Sequence, residues 1–340
     1  ANTTGAQNTA VGRNALDANT TASENTAIGN SAMGNNTTGA ENTAVGSASL
    51  FANTTGANNV AIGRDALKAN TTASNNTAVG YQAGTAVTTG TLNTLIGSLA
   101  GDAITTGNSN VAVGYQTLSA DTLGDRNVAI GLQALMSQNF TSSTDSYNTA
   151  VGYAAGLSVT TGQVNTLVGG LSGDALTTGG ENTAVGYKTL SANTTGAYNT
   201  ALGSRALANF NNTTSAGTYN TAVGYNAGND VTTGVENTII GGLAGDALTE
   251  GGLNVAVGTS ALGVDTKGSR NVAVGVSALN QQNFTSATNS YNTGVGYQAG
   301  GAVTTGVQNT LIGGLAGDAL TSSSDNTAVG YQALGSAITG

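Results

Sequence analysis

The chain has 340 residues, with no cysteine, histidine or proline and with 52 glycines. Only 7% of its residues are charged, against roughly 25% in an ordinary soluble domain, and the net charge is −9 with eight Lys and Arg in all. This excludes a phosphate-neutralising nucleic-acid binder, a disulfide or thiolate-metal framework, and any catalytic or metal site that needs histidine.

In chain order, one five-residue phrase, Asn-Thr/Val-X-Val/Ile/Leu-Gly, begins at Asn8, Asn25, Asn42, Asn59, Asn76, Asn93, Asn110, Asn127, Asn148, Asn165, Asn182, Asn199, Asn220, Asn237, Asn254, Asn271, Asn292, Asn309 and Asn326. Fifteen of the eighteen steps are 17 residues and three are 21. A period in this range marks a solenoid. Residues 1–340 therefore read as one all-β domain, a parallel β-solenoid of nineteen rungs, and as a segment of a longer fibre. The absence of proline suits uninterrupted strand pairing. No apolar run reaches the roughly 18 residues of a membrane span.

Numbering each rung from its Asn, positions 1 to 5 alternate with period two and are rich in β-branched residues, which predicts a short strand. Positions 2 and 4 are expected to face one way and positions 1, 3 and 5 the other. The Val or Ile at position 4 is the expected core residue. Leu at position 9, as at Leu16, Leu67, Leu135 and Leu279, is expected in a second strand closing the same core. Thr-Thr-Gly at positions 13 to 15 reads as a turn. Stacking in register predicts an Asn ladder at position 1 and, at about 4.8 Å per rung, a rod roughly 90 Å long. Ala at position 3 and the invariant Gly at position 5 (Gly12 to Gly330) would then face outward. Small residues there predict close approach of other chains, most simply three around an axis.

The first four rungs are uniform, and a second period appears after them. The long steps end at Asn148, Asn220 and Asn292, which are 72 residues apart, so four rungs form a higher unit. Leu95, Leu167, Ile239 and Leu311 at position 3, and Tyr81, Tyr153, Tyr225 and Tyr297 at position 6, follow this spacing. So do Asp102, Asp174, Asp246 and Asp318, each in a Gly-Asp-Ala triplet. These carboxylates either form rings that hold a cation or bond nearby backbone N–H groups. Each 21-residue rung is expected to extrude a loop, and such insertions are where solenoids often bind. Phe140, Phe210 and Phe284, with Tyr147, Tyr219 and Tyr291, are the candidate surface contacts; the alternative is that they pack back onto the roll. Phe210 falls two positions earlier in its rung than the other two.

The phrase Asn182-Thr183-Ala184-Val185-Gly186, with a small residue at position 8, resembles the head repeat of trimeric autotransporter adhesins of the YadA-like type. It is also similar to repeats of tail-fibre-type proteins of phages and bacteria. The resemblance covers essentially all 340 residues. It implies a left-handed parallel β-roll, a homotrimer, an extracellular setting on a cell surface or virion, and a role in adhesion or as a fibre shaft. A glycan or protein receptor, and lateral or end-to-end self-association, are partners consistent with it. Neither nucleic acid nor membrane contact is expected within the segment. Seventeen scattered acidic residues offer no two-carboxylate cleft, so neither an enzyme nor a cofactor is expected. Adjacent Thr-Thr pairs argue against a flat ice-binding array. Asn-Thr-Thr sequons at Asn19, Asn36, Asn53, Asn70 and Asn193 are formal glycan acceptors.

Overall fold

The structure, a computed structural model, describes residues 2–213 and 217–336. It divides into two compact units, Ala1–Asn165 and Thr166–Gly340. The described residues are all-β and contain no helix. Nine three-residue strands, from Thr9–Val11 to Thr149–Val151, belong to the first unit, and ten, from Thr166–Val168 to Thr327–Val329, to the second. Within each unit successive strands pair in parallel and in register. Thr9, Ala10 and Val11 lie beside Thr26, Ala27 and Ile28, and Thr183, Ala184 and Val185 beside Thr200, Ala201 and Leu202. Each unit is thus a β-solenoid with one rung per phrase. Shorter parallel pairs, Gly124–Asp125 with Thr144–Asp145 and Gly268–Ser269 with Thr288–Asn289, flank two of the long rungs.

The Asn ladder is present and is built mainly through the backbone. The N–H of Asn42 donates to Oδ1 of Asn25 (2.9 Å), and that of Asn59 to Oδ1 of Asn42 (2.9 Å). In most 17-residue rungs the Asn also donates through Nδ2 to the carbonyl at position 15 of its own rung, as Asn25 does to Gly39 (3.0 Å), whereas Asn127 and Asn199, which open long rungs, donate to the preceding Asn and to the carbonyl two residues earlier. In the regular rungs one buried amide therefore ties a rung to its predecessor and closes its own coil. Burial without these partners would cost roughly 1–3 kcal/mol.

The strand faces are inverted relative to the sequence expectation. Ala at position 3 points inward and is fully buried, as at Ala27, Ala44 and Ala61, whereas Ile28 and Ile62 at position 4 are each 39% exposed. Where a leucine turns in from position 9 the coil leaves little room at position 3, and Leu95, Leu167, Ile239 and Leu311 are buried there in rungs whose position 9 is glycine. At position 3 of the Asn292 rung, where the residue is Gly294, an added Cβ would lie 2.9 Å from Leu279 Cγ and from the Ala299 carbonyl oxygen. The Val and Ile side chains of position 4 are instead placed outside.

The invariant Gly at position 5 also has an intramolecular reason. Gly63 has φ of +130°, and a Cβ there would meet the Gly80 carbonyl oxygen at 2.3 Å. Backbone approach between consecutive rungs demands glycine, so close approach of another chain is not needed to explain it.

No second strand forms at position 9. Positions 7 and 9 both take positive φ, as at Asp65 (58°) and Leu67 (48°), within a run of turns. That conformation costs a non-glycine residue roughly 1–2 kcal/mol. Here it aims the Leu into the coil, where Leu50, Leu67, Leu118 and Leu135 are fully buried, contributing roughly 1.5–3 kcal/mol each.

Position 12 supplies the remaining core side chain and carries a second ladder. Asn53 Nδ2 donates to Asn36 Oδ1 (2.8 Å) and to the Gly56 carbonyl (2.9 Å), and Asn70 Nδ2 donates to Asn53 Oδ1 (2.9 Å). These asparagines are the sequon residues. Asn19, Asn36, Asn53, Asn70 and Asn193 are fully buried, so in the folded chain none presents its amide to a glycosylating enzyme. The Thr at position 13 donates its hydroxyl to the carbonyl of the next rung's position 13, as Thr37 does to Thr54 (3.0 Å). One member of each Thr-Thr pair is thereby committed to the backbone.

Candidate functional surfaces

The long rungs separate the six candidate contact residues into two groups. Phe140 (4% exposed), Phe210 (0%) and Phe284 (7%) are buried, so the phenylalanines are core residues and not surface contacts. Phe210 comes two positions early because it occupies the position-12 core site, which Gln138 and Gln282 fill in the other two long rungs. Phe140 and Phe284 instead cover a buried polar chain. Asp121 accepts from Gln138 Nε2 (2.7 Å) and from the Gly124 N–H (3.0 Å), and Asn148 Nδ2 donates to Gln138 Oε1 (2.8 Å). Asp265, Gln282 and Asn292 repeat this arrangement. Burial raises the pKa of Asp121 and of Asp265, opposed first by the glutamine hydrogen bond and then by backbone N–H groups.

The tyrosines remain outside, with Tyr147, Tyr219 and Tyr291 at least half exposed. Each stacks on the residue one rung earlier. Tyr198 and Tyr219 lie with ring centroids 5.1 Å apart and planes within 8°. Arg126 lies 5.6 Å over the Tyr147 ring, and Arg270 lies 5.8 Å over that of Tyr291. Arg126 also pairs with Asp145 and donates to Tyr147 Oη (2.9 Å). The Asp145 carboxylate, followed by Tyr147, raises the Arg126 pKa, and Glu181 raises that of Tyr198. These are braced surface patches recurring every four rungs.

The Gly-Asp-Ala aspartates lie on the flank of the coil, half-buried. Oδ1 of Asp102, Asp174 and Asp318 is buried without a hydrogen-bond partner, and desolvation raises the pKa of Asp102, Asp174 and Asp246. No group of three or more acidic side chains placed to hold a metal ion occurs among the described residues.

The surface that the sequence reading missed is the outward strand face. Position 2 is Thr or Val and position 4 is Val, Ile or Leu in every rung, so this face carries no charge. Position 6 continues it with exposed Tyr81, Tyr115, Tyr153, Tyr187, Tyr225, Tyr297 and Tyr331. Each of these tyrosines shares its rung with Val at position 4, whereas no rung with Ile or Leu there has Tyr at position 6. Arg13 and Arg64 also stand at position 6, and Ile130 shares its rung with Leu132, so the pairing holds for the tyrosines alone. The readable signal was this pairing, together with the absence of charge at positions 2 and 4. Three-residue strands over nine rungs give the first unit roughly 400 Å² of such surface in plan. Threonine at position 2 and Val, Ile or Leu at position 4 share this surface. No known family model, curated protein or solved structure matches the chain.

Proposed function

We propose that this chain is a non-enzymatic structural segment of an extracellular fibre or adhesin, whose rigid β-solenoid assembles with other copies through the outward strand face. The observation that carries this reading is an outward strand face of uncharged Thr, Val, Ile and Leu at positions 2 and 4, repeated in every rung. Identical copies share the same rung spacing, so side chains that interdigitate at one rung also do so at the next. With a chain charge of −9, an uncharged face is the one on which copies meet with least repulsion. Three copies around an axis is a closed arrangement that agrees with the resemblance to trimeric adhesin heads. The tail-fibre resemblance supports the same assembly as a virion shaft, and lateral bundling would make it a matrix filament. The test is the solution mass of the chain with and without Ile28→Glu, Ile62→Glu and Ile96→Glu together. Assembly should be lost while the β-sheet circular dichroism is kept.

A further inference from the structure

We infer that the second unit contains a binding cleft for a carboxylate-bearing saccharide, formed by Lys188, Ser191, Arg205, Ala208, Asn209 and Asn229. The cleft encloses about 240 Å³. It lies on the turn flank, away from strand positions 2 and 4, and the inference does not depend on assembly of the strand face.

Among the described residues Arg13, Lys188, Arg205 and Arg270 form no salt bridge, and of these only Lys188 and Arg205 stand on consecutive rungs. Arg64 and Lys68 pair with Asp65, Arg126 with Asp145, and Lys267 with Glu250. Lys188 and Arg205 are neighbours in one column. Lys188 lies 5.7 Å over the Tyr187 ring, and its charge is felt by Asp174 on the preceding rung. The nearby Asp230 accepts from Nδ2 of Asn209 (3.0 Å) and of Asn229 (2.7 Å). One hydrogen of each Nδ2 is thereby used, and both Oδ1 atoms are left as acceptors. Ser191 donates to the Ala208 carbonyl (3.3 Å), so its oxygen is likewise an acceptor. The cleft thus offers two cationic donors beside several oxygens that need hydroxyl donors. A sugar acid has that complement: the guanidinium receives the carboxylate in a two-pronged contact, and the ring hydroxyls donate to the amide and serine oxygens.

The same place in the neighbouring repeats is an internal comparison. At 72 residues earlier the column holds Gln116 and Gln133, which bond to each other (3.2 Å). At 72 residues later it holds Ser260 and Ser277, beside a cleft of about 260 Å³ that is flanked by Asp318. Of these three copies of the column, only this one carries cations.

Calorimetric titration of the full chain with a galacturonate disaccharide, its neutral galactose counterpart, and inorganic phosphate tests the assignment. Saturable binding of the uronate is expected, with the neutral sugar and phosphate at least about tenfold weaker. Lys188→Ser and Arg205→Ser, which copy the later repeat, should each lower uronate affinity by about tenfold or more. Ser277→Ala should leave it unchanged. Thermal midpoints of the variants establish that they remain folded. No saturable uronate binding, or equal binding by the double variant, would overturn the site. Phosphate binding as tightly as the uronate would overturn the saccharide assignment.

Discussion

The first four rungs and the four that follow them fill the same core volume in different ways. In the Asn8, Asn25, Asn42 and Asn59 rungs, position 9 is Leu or Met and position 12 is the laddered Asn. In the Asn76 and Asn93 rungs position 9 is Gly and position 12 is Val87 or Ile104, with Leu95 at position 3 reaching across both. A Cβ added to Gly84 would lie 2.6 Å from Leu95 Cδ1, and one on Gly101 2.7 Å from Leu95 Cδ2. The Asn110 and Asn127 rungs return to Leu at position 9, with Asp121 and Gln138 at position 12. The 72-residue period is therefore a packing rhythm in the core as well as a pattern of surface loops. One leucine of the strand substitutes for two leucines of the turns.

That exchange is open to experiment, beginning with the largest effect. Leu95→Ala should cost about 2–5 kcal/mol in a urea titration, the range for a buried Leu truncation. Gly84→Leu alone should cost about 1–3 kcal/mol through overpacking. Gly84 already has φ of +59°, close to the +48° of Leu67, so a leucine there carries the same left-handed backbone cost that Leu67 bears, and the contact with Leu95 adds to it. The double variant should therefore be less destabilised than the sum of the singles, and strict additivity would defeat the exchange.

In the first rung type, Asn53→Ala should cost about 1–3 kcal/mol. It removes the acceptor of Asn70 Nδ2 and the donor to Asn36 Oδ1. A thermal midpoint unchanged from the parent would mean that this second ladder contributes nothing.

The smallest effect distinguishes Asp121 from the asparagines at its position in the first four rungs. Burial raises its folded-state pKa, so the folded chain holds that proton more tightly than the unfolded chain does. Stability then falls as pH rises from the ordinary carboxylate range through the raised value, and is level above it. Asp121→Asn should remove this contribution and shallow the slope in urea midpoints taken across that window. Asp102, Asp174, Asp246 and Asp265 add slopes of the same sign, so the comparison is with the parent chain. An unchanged slope would contradict the assignment.

Much of this architecture was legible in the sequence. Rung count, parallel register and the position-1 ladder follow from the invariant Asn and Gly and their spacing. The phase of the strand was not legible, because three residues give alternation too little length to declare itself and the Val at position 4 outweighs the Ala at position 3 in hydrophobicity. A one-residue change of phase exchanges the faces. A decisive clue was nonetheless present: Leu95, Leu167, Ile239 and Leu311 each share a rung with Gly101, Gly173, Gly245 or Gly317. A large residue at position 3 matched by a vanished one at position 9 is compensation across a shared interior. Of the candidate contacts, the tyrosines were recognisable because they precede the rung's Asn, at a position that is mostly exposed. The phenylalanines were not, because a loop insertion and a core replacement look alike in a polar sequence.

With positions 2 and 4 facing outward in place of positions 3 and 5, the residues that would meet in the proposed assembly change. Sedimentation equilibrium of the chain at micromolar concentration, alongside the triple variant Ile28→Glu, Ile62→Glu and Ile96→Glu, tests this most directly. The expected result is three chain masses for the parent and one for a still-folded variant. A parent chain that sediments as a monomer, or a variant that assembles as the parent does, would contradict it.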